Sequence, residues 1–457
     1  MKRITVDFRE TTGPVKPMHS VNNGPSPANE PGNFEAYRDA GFPMARTHDA
    51  AFCPVYGGQH TVDIMNIFPD FSKDENDPAS YDFDLTDEYM ESILSAGTKV
   101  FYRLGNKIEH ESKRYGSLPP ADYEKWARIC EHIIRHMNQG WANGHAYGIE
   151  YWEIWNEPDL HPQCWEGENE AFYPLYDIAA RHLKKCFPDL KIGGPAVTSV
   201  HSEAFLEGFF RYLTRDPGDP APLDFFSFHR YAREPADYGN DARKARALLD
   251  RFGYKNAEVI LNEWNYVRSW LPREDVVYSH RVISSCKGAA FAAGAMIEAQ
   301  KSPMDHFMYY DARLGTTWNG LFDLYSYSRK PLPAYWSMIG FRDLYRLGTE
   351  ASSSSDDAEL HVLAAKDEEG KNAAILASFY RDGESIDGRS PEDTPEEIRF
   401  DWSGFSSSEG VEVEYRILDK DHALEPVSFE LFTGERGAHV LSVRPNTVML
   451  LSLHKKG

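Results

Sequence analysis

From about residue 17 to residue 345, short apolar runs alternate with longer amphipathic stretches. The strand-like runs fall at 18–22, 44–48, 100–104, 150–155, 191–193, 224–231, 259–264 and 306–310. Between and after them, at 34–40, 85–96, 121–137, 171–186, 203–213, 242–252, 276–299 and 334–344, apolar residues recur every three or four positions, the period of a helix with one buried face. Eight strands in strict alternation with eight helices predict an α/β fold. The rhythm is that of a (β/α)8 TIM barrel, expected over residues 16–346.

Past Gly348 the period changes. The serine run 352–355 marks a boundary, and short alternating stretches follow at 360–364, 373–379, 411–418 and 448–453, separated by Gly, Asp, Asn and Pro. They predict a C-terminal antiparallel β-sandwich over 347–457. The opening segment, residues 1–15, alternates in the same way around 4–8 and is expected to return and complete that sandwich. The acidic stretch 382–397 is expected to be a solvated insertion.

Composition narrows the function. The 457 residues carry 71 acidic against 49 basic side chains, a net charge of −22 that repels phosphate backbones, so nucleic acid is excluded as a partner. No apolar run reaches the roughly 18 residues of a membrane span, which predicts no membrane partner. Met1–Phe8 alternates like a strand and no apolar signal segment follows, so a cytoplasmic location is expected. The odd set of Cys53, Cys130, Cys164, Cys186 and Cys286 has no paired spacing and predicts reduced thiols. Aromatic content of 13% supplies flat side chains that stack on sugar faces but also fill cores. Oligomeric state is left open, a homo-oligomer included.

Two strand ends carry the chemistry. Tyr151-Trp152-Glu153-Ile154-Trp155-Asn156-Glu157-Pro158 runs an apolar strand into a carboxylate, and Val259-Ile260-Leu261-Asn262-Glu263 does the same three units later. In an α/β barrel the C-terminal strand ends share one face, so Glu157 and Glu263 are expected to meet in one cavity. Pro158 biases Glu157 toward extended backbone. One acid that protonates a leaving oxygen and one carboxylate that meets the sugar carbon are what glycoside hydrolysis needs, with separations of about 5–5.5 Å for retention and about 6.5–9.5 Å for inversion. Arg46 is expected to hold Glu263 ionised, and burial among tryptophans to keep Glu157 protonated. Asn156, His48, His229 and Tyr231 are candidate substrate-binding neighbours. Trp318 and Phe322 are candidates for an aromatic wall around the eighth strand, beside Tyr310, Asp311 and Asn319. His229 also has an ordinary reading as a structural residue, and Trp318 one as packing. No H-x-H or H-E-x-x-H spacing exists, so a metal-dependent hydrolase using His48, His110 and His229 is disfavoured and no cofactor is expected.

At these residues the chain resembles the clan A retaining glycoside hydrolases, and most closely family 39, which contains β-xylosidases and α-L-iduronidases. The similarity lies in 152–160, Ala45-Arg46-Thr47-His48-Asp49, Lys191-Ile192-Gly193-Gly194-Pro195-Ala196 and the barrel followed by a sandwich. It implies Glu157 as acid/base, Glu263 as nucleophile, and Asn156, His48, His229 and Tyr231 as sugar-binding residues. Arg230, between His229 and Tyr231, and the insert 53–68 depart from the family pattern. The implied activity is a retaining exo-glycoside hydrolase on a small glycoside or oligosaccharide, β-xyloside-like, with arabinosides or other β-glycosides as the alternative. A non-catalytic carbohydrate-binding barrel is the competing reading from another class.

Overall fold

A computed structural model of the protein describes residues 1–48, 61–105, 116–314, 316–323, 330–387, 390 and 393–456. Eight parallel strands close into a barrel: β2 (Ser20–Asn22), β3 (Met44–Arg46), β4 (Lys99–Leu104), β5 (Tyr151–Ile154), β6 (Lys191–Val197), β7 (Phe225–Ala232), β8 (Glu258–Tyr266) and β9 (His306–Tyr309). Among the described residues ten α-helices surround or follow them: α1 (Phe34–Ala40), α2 (Ile64–Ile67), α3 (Asp84–Ser95), α4 (Tyr123–Gln139), α5 (Asn169–Cys186), α6 (Glu203–Leu213), α7 (Ala236–Arg251), α8 (Arg273–Ile283), α9 (Cys286–Gln300) and α10 (Pro333–Leu347). The TIM barrel expected from the alternating pattern is therefore present, with each of its strands within a few residues of its expected place.

The expected single helix over 276–299 is two. Ser285 adopts an extended backbone and its hydroxyl accepts from Gly288 N, capping α9. A Cβ on Gly288 would stand 2.3 Å from Val282 O, so only glycine lets the new helix start against the end of α8. Helix α9 is buried on nearly every side because it lies between the barrel and the second sheet, which explains its Ala- and Gly-rich sequence.

That second sheet has nine strands. In sequence they are β1 (Lys2–Pro14), β10 (Thr349–Ser355), β11 (Leu360–Lys366), β12 (Asn372–Phe379), β13 (Glu396–Ser403), β14 (Val411–Leu418), β15 (Ala423–Phe432), β16 (Arg436–Val443) and β17 (Thr447–Lys455). Their spatial order is β15-β14-β17-β12-β11-β10-β1-β13-β16, around a core of its own that includes Ile4, Val6, Phe8, Ile375 and Leu451. All neighbours are antiparallel except β1 and β13, which run parallel. Polar contacts tie sheet to barrel: Ser378 Oγ donates to Ala290 O at 2.7 Å, and Tyr380 OH to Arg233 O at 2.6 Å.

The acidic stretch does not begin as a solvated loop. The Asp382 side chain is only 6% exposed, packed against the barrel, accepting from Arg233 Nε at 2.7 Å and Tyr266 OH at 2.9 Å and pairing with the buried Lys287. Among the described residues no helix is long and apolar enough to cross a membrane. Cys130, Cys164, Cys186 and Cys286 are free thiols, while Cys53, Asp49 and His110 lie outside the described residues.

Candidate active site

The barrel interior is layered. Met44, Phe101, Tyr151, Phe225, Ile260 and Met308 form an apolar plug. Two residues further along the same strands, period-two alternation points the next side chains inward: Arg46, Glu153, Ser227 and Asn262. They form a polar floor. Arg46 Nε donates to Glu153 Oε2 at 2.7 Å, and Ser227 Oγ donates to Glu153 Oε1 at 2.6 Å. Asn262 Nδ2 also donates to Glu153 Oε1, so this fully buried carboxylate accepts from three donors.

Strict alternation would aim Glu263 away from the cavity, since its neighbour Asn262 points inward. A β-bulge changes that. The β7–β8 register shifts between Phe228↔Leu261 and His229↔Glu263, so both Asn262 and Glu263 face the interior. Tyr231 OH donates to Glu263 Oε1 at 2.6 Å, and Arg46 Nη1 to Glu263 Oε2 at 3.3 Å. His48 Nε2 lies 3.8 Å from the same oxygen.

Glu157 is held by an unusual turn rather than by the extended backbone expected from Pro158. Trp155, Glu157 and Ala196 have φ of 72°, 49° and 56°, left-handed values that non-glycine residues adopt at a cost. Two main-chain hydrogen bonds fix the turn, Trp155 N to Leu104 O at 2.6 Å and Glu157 N to Ala196 O at 2.9 Å. The absence of a side chain on Gly105 is required here, because a Cβ would approach Trp155 Cα to 2.9 Å. Glu157 Oε1 meets His229 Nδ1 at 2.8 Å, and Cys164 Sγ lies 3.7 Å from Oε2.

One oxygen of Glu157 and one of Glu263 stand within 4.8 Å of each other, with His229 between them. Burial pushes Glu157 up to about 7, reinforced by Asp159 and opposed by Arg46 and Cys164. Burial also raises Glu263, against the expectation of a low value; His229, Arg46 and Tyr231 pull it back while Glu157 pushes it up. His229 is lowered by burial. Glu157, His229 and Glu263 are also the residues of this site whose donor atoms could hold a metal ion.

Both carboxylates open into a cavity of about 650 Å³ that is also lined by Asn156, His48, Tyr231, Tyr310 and Trp318. Arg46 Nη2 donates to Asn156 Oδ1 at 2.7 Å, which leaves the Asn156 amide NH2 to donate elsewhere. Trp318 packs edge-on to Tyr231, ring centroids 5.5 Å apart. Phe322 is not among the lining residues: it is fully buried, its ring 5.8 Å from that of Tyr335, because the segment carrying it turns into the core. Asn319 makes that turn, its Oδ1 accepting from Leu321 N and Phe322 N. Arg230 reaches the cavity rim but is paired with Asp237 at 2.9 Å.

Sequence reasoning passed over Glu153, Cys164 and Trp270. An acid in the middle of the apolar run Tyr151-Trp152-Glu153-Ile154 is a signal for Glu153, since a buried charge needs a partner. Trp270 lines the cavity, is 54% exposed and lies near Tyr231 and Trp318, in a stretch with no periodic signal.

Comparison with known proteins agrees with this architecture. The family model described as glycosyl hydrolases family 39 matches residues 4–273. A β-xylosidase of Caldicellulosiruptor saccharolyticus is 28% identical over 240 residues, 49% of this chain and 43% of that protein. Another, from Geobacillus stearothermophilus, is 25% identical over 201 residues, 39% of this chain and 36% of that one. The matched region thus spans less than half the length of these curated relatives. Among solved structures, a glucosidase from Croceicoccus marinus superposes with a TM-score of 0.81 at 23% identity, covering 100% of this chain and 99% of that one. A monomeric β-xylosidase from Caulobacter crescentus CB15 superposes at 0.72 and 18% identity, with 100% of both chains covered. These structural likenesses concern the fold, whereas the family match covers more than half of the sequence, and on that match the chain belongs to glycosyl hydrolases family 39.

Proposed function

We propose that the protein is a retaining exo-glycoside hydrolase that removes a terminal β-xylose-like sugar by double displacement, with Glu157 as general acid/base and Glu263 as nucleophile. The observation that carries this reading is the pair of carboxylates in one cavity, an oxygen of each within 4.8 Å of the other, an approach that favours the closer spacing of retaining enzymes.

In the first step a Glu263 oxygen bonds to the anomeric carbon as the bond to the leaving oxygen breaks, and Glu157 supplies that oxygen with a proton. In the second, Glu157 takes a proton from water, the water oxygen bonds to the anomeric carbon, and Glu263 departs. The environments support this division of labour. Glu263 has Arg46 and Tyr231 as donors that favour its ionised form, while Glu157, raised to about 7, keeps about half its population protonated at neutral pH, where an ordinary glutamate is almost wholly ionised. When one negative charge is shared by the coupled pair, it rests on Glu263.

Asn156 and His48 are assigned to sugar hydroxyls, and Trp318 to the face of a ring. The buried polar floor below the carboxylates supports action on a chain end. A panel of nitrophenyl β-xyloside, β-glucoside and α-arabinofuranoside tests the substrate, and an activated 2-fluoro glycoside followed by peptide mass spectrometry tests the mechanism. Release from the xyloside and a label on Glu263 are expected. No release from any member, or a label elsewhere, overturns the proposal; release from the glucoside alone reassigns the sugar.

A further inference from the structure

We propose that Asp87, His136 and His145 form a zinc-class metal site that fastens α3 to the end of α4, apart from the catalytic cavity. The argument begins with a proton. His136 Nδ1 lies 2.9 Å from Trp141 O, and a carbonyl only accepts, so Nδ1 carries the hydrogen. In the neutral imidazole Nε2 is then a bare lone pair. It faces Asp87 Oδ1 at 3.0 Å and Oδ2 at 3.1 Å, and a carboxylate also only accepts. Acceptors pressed together in this way need a positive centre between them.

His145 supplies the third ligand. Its Nε2 lies 3.1 Å from Asp87 Oδ2, is buried, and makes no hydrogen bond among the described residues. Ligand atoms of all three residues lie within 4.8 Å of one another. Tetrahedral ligands about 2.05 Å from zinc are about 3.3 Å apart, close to the spacing here. Both rings are oriented by stacking, His136 on Phe83 with centroids 3.6 Å apart and His145 on Tyr147 at 4.3 Å. A histidine whose second nitrogen donates to a backbone carbonyl is the usual outer-shell arrangement of a metal ligand.

Two imidazoles and one carboxylate suit Zn²⁺ and its late first-row neighbours rather than Mg²⁺ or Ca²⁺, which take mostly oxygen. Side chains of Asp87 and His145 are 26% and 29% exposed, giving water a fourth position and the ion an entry path. None of the three lines the catalytic cavity, so the role is to hold the first turn of α3, the last turn of α4 and the segment after it together.

The full chain, stripped with chelator and titrated with Zn²⁺ in a calorimeter, tests this. One equivalent with Kd of about 1 µM or tighter is expected, with an upward Tm shift of roughly 2–4 °C or more. His145→Gln and Asp87→Asn should each weaken that equivalent at least 100-fold and lose the visible bands of tetrahedral Co²⁺. Glu157→Gln and Cys186→Ala should retain it; they test the two other groups with metal-ligand chemistry among the described residues, Glu157/His229/Glu263 and Glu131/His182/Cys186. Absence of saturable binding by wild type means that an imidazolium at His136 bridges to Asp87, and the site does not exist. Unchanged binding in both His145→Gln and Asp87→Asn also overturns the proposal. Should one variant fail to fold, the other reads the same loss.

Discussion

Arg46 and Glu153 form a fully buried ion pair, 2.7 Å apart, on which the proposed nucleophile rests: the same guanidinium reaches Glu263 at 3.3 Å. Desolvating such a pair is costly, and removing one partner leaves an uncompensated buried charge. Arg46→Met is therefore expected to lower unfolding free energy by about 3–5 kcal/mol in urea titration. Arg46→Met combined with Glu153→Gln should recover part of that loss. A single variant within about 1 kcal/mol of wild type would show that the floor is not held by this charge pair.

The raised Glu157 carboxyl predicts how activity depends on pH. An acid must be protonated to donate, so kcat/KM should fall as pH rises through about 7 in the free enzyme. Linkage gives the matching stability signature. Because the folded value lies above the unfolded one, the protonated group's contribution is complete below the unfolded value and lost as pH rises through about 7. Glu157→Gln should thus be more stable than wild type at pH 8, by no more than about 3 kcal/mol, and equal to it near pH 4. Equal stability at both pH values would mean that burial does not raise this group.

Tyr231 has a different signature, because its hydroxyl donates to Glu263 at 2.6 Å and favours the ionised form. Tyr231→Phe removes that donor and moves the carboxyl further upward. With Glu263 as the proposed nucleophile, which must be ionised to attack, the acid limb of kcat/KM should shift to higher pH. A fall of about 10–100-fold at the optimum is expected from losing one charge-assisted hydrogen bond. An unmoved acid limb in the variant would separate Tyr231 from the titration of Glu263.

Cys164 touches the other carboxyl. Its thiol lies 3.7 Å from Glu157 Oε2, and that contact opposes the effect of burial. Cys164→Ala should therefore push Glu157 higher and move the alkaline limb to higher pH, while the proposed nucleophile's acid limb stays where it is. Movement of the alkaline limb to lower pH would assign the thiol the opposite influence.

What could be read from the chain alone follows the physics of each signal. Hydrophobic period located the eight barrel strands because each strand's burial is set locally, and the apolar runs ending in Glu157 and Glu263 stood out as breaks in that period. The aim of Glu263 into the cavity was expected from its place at a strand end, but alternation does not supply it: from Ile260 alternation assigns the interior to Asn262, and the cross-strand bulge admits both. The left-handed turn at Trp155 and Glu157 was hidden, because Pro158 favours extended backbone at Glu157 and the main-chain bonds that override it come from the neighbouring strands. Nor does spacing announce Asp87, His136 and His145. They meet through tertiary packing of α3 against the end of α4.

Trp318 and Phe322, four residues apart in one aromatic segment, separate the proposed stacking role from packing. Trp318 lines the cavity beside Tyr231, whereas Phe322 is fully buried against Tyr335. Truncating a sugar-stacking ring loses about 1–1.5 kcal/mol or more of contact with the substrate, so Trp318→Ala should raise KM by roughly tenfold with little loss of fold stability. Truncating a core phenylalanine leaves a cavity instead. Phe322→Ala is expected to cost about 3–5 kcal/mol of stability, while its KM, measured below the melting range, stays near that of wild type. Steady-state kinetics and thermal melts on both variants give four numbers, and the pattern is what matters. If Phe322→Ala changes KM more than Trp318→Ala does, the aromatic wall of this cavity is built from the core outward and Trp318 is not its platform.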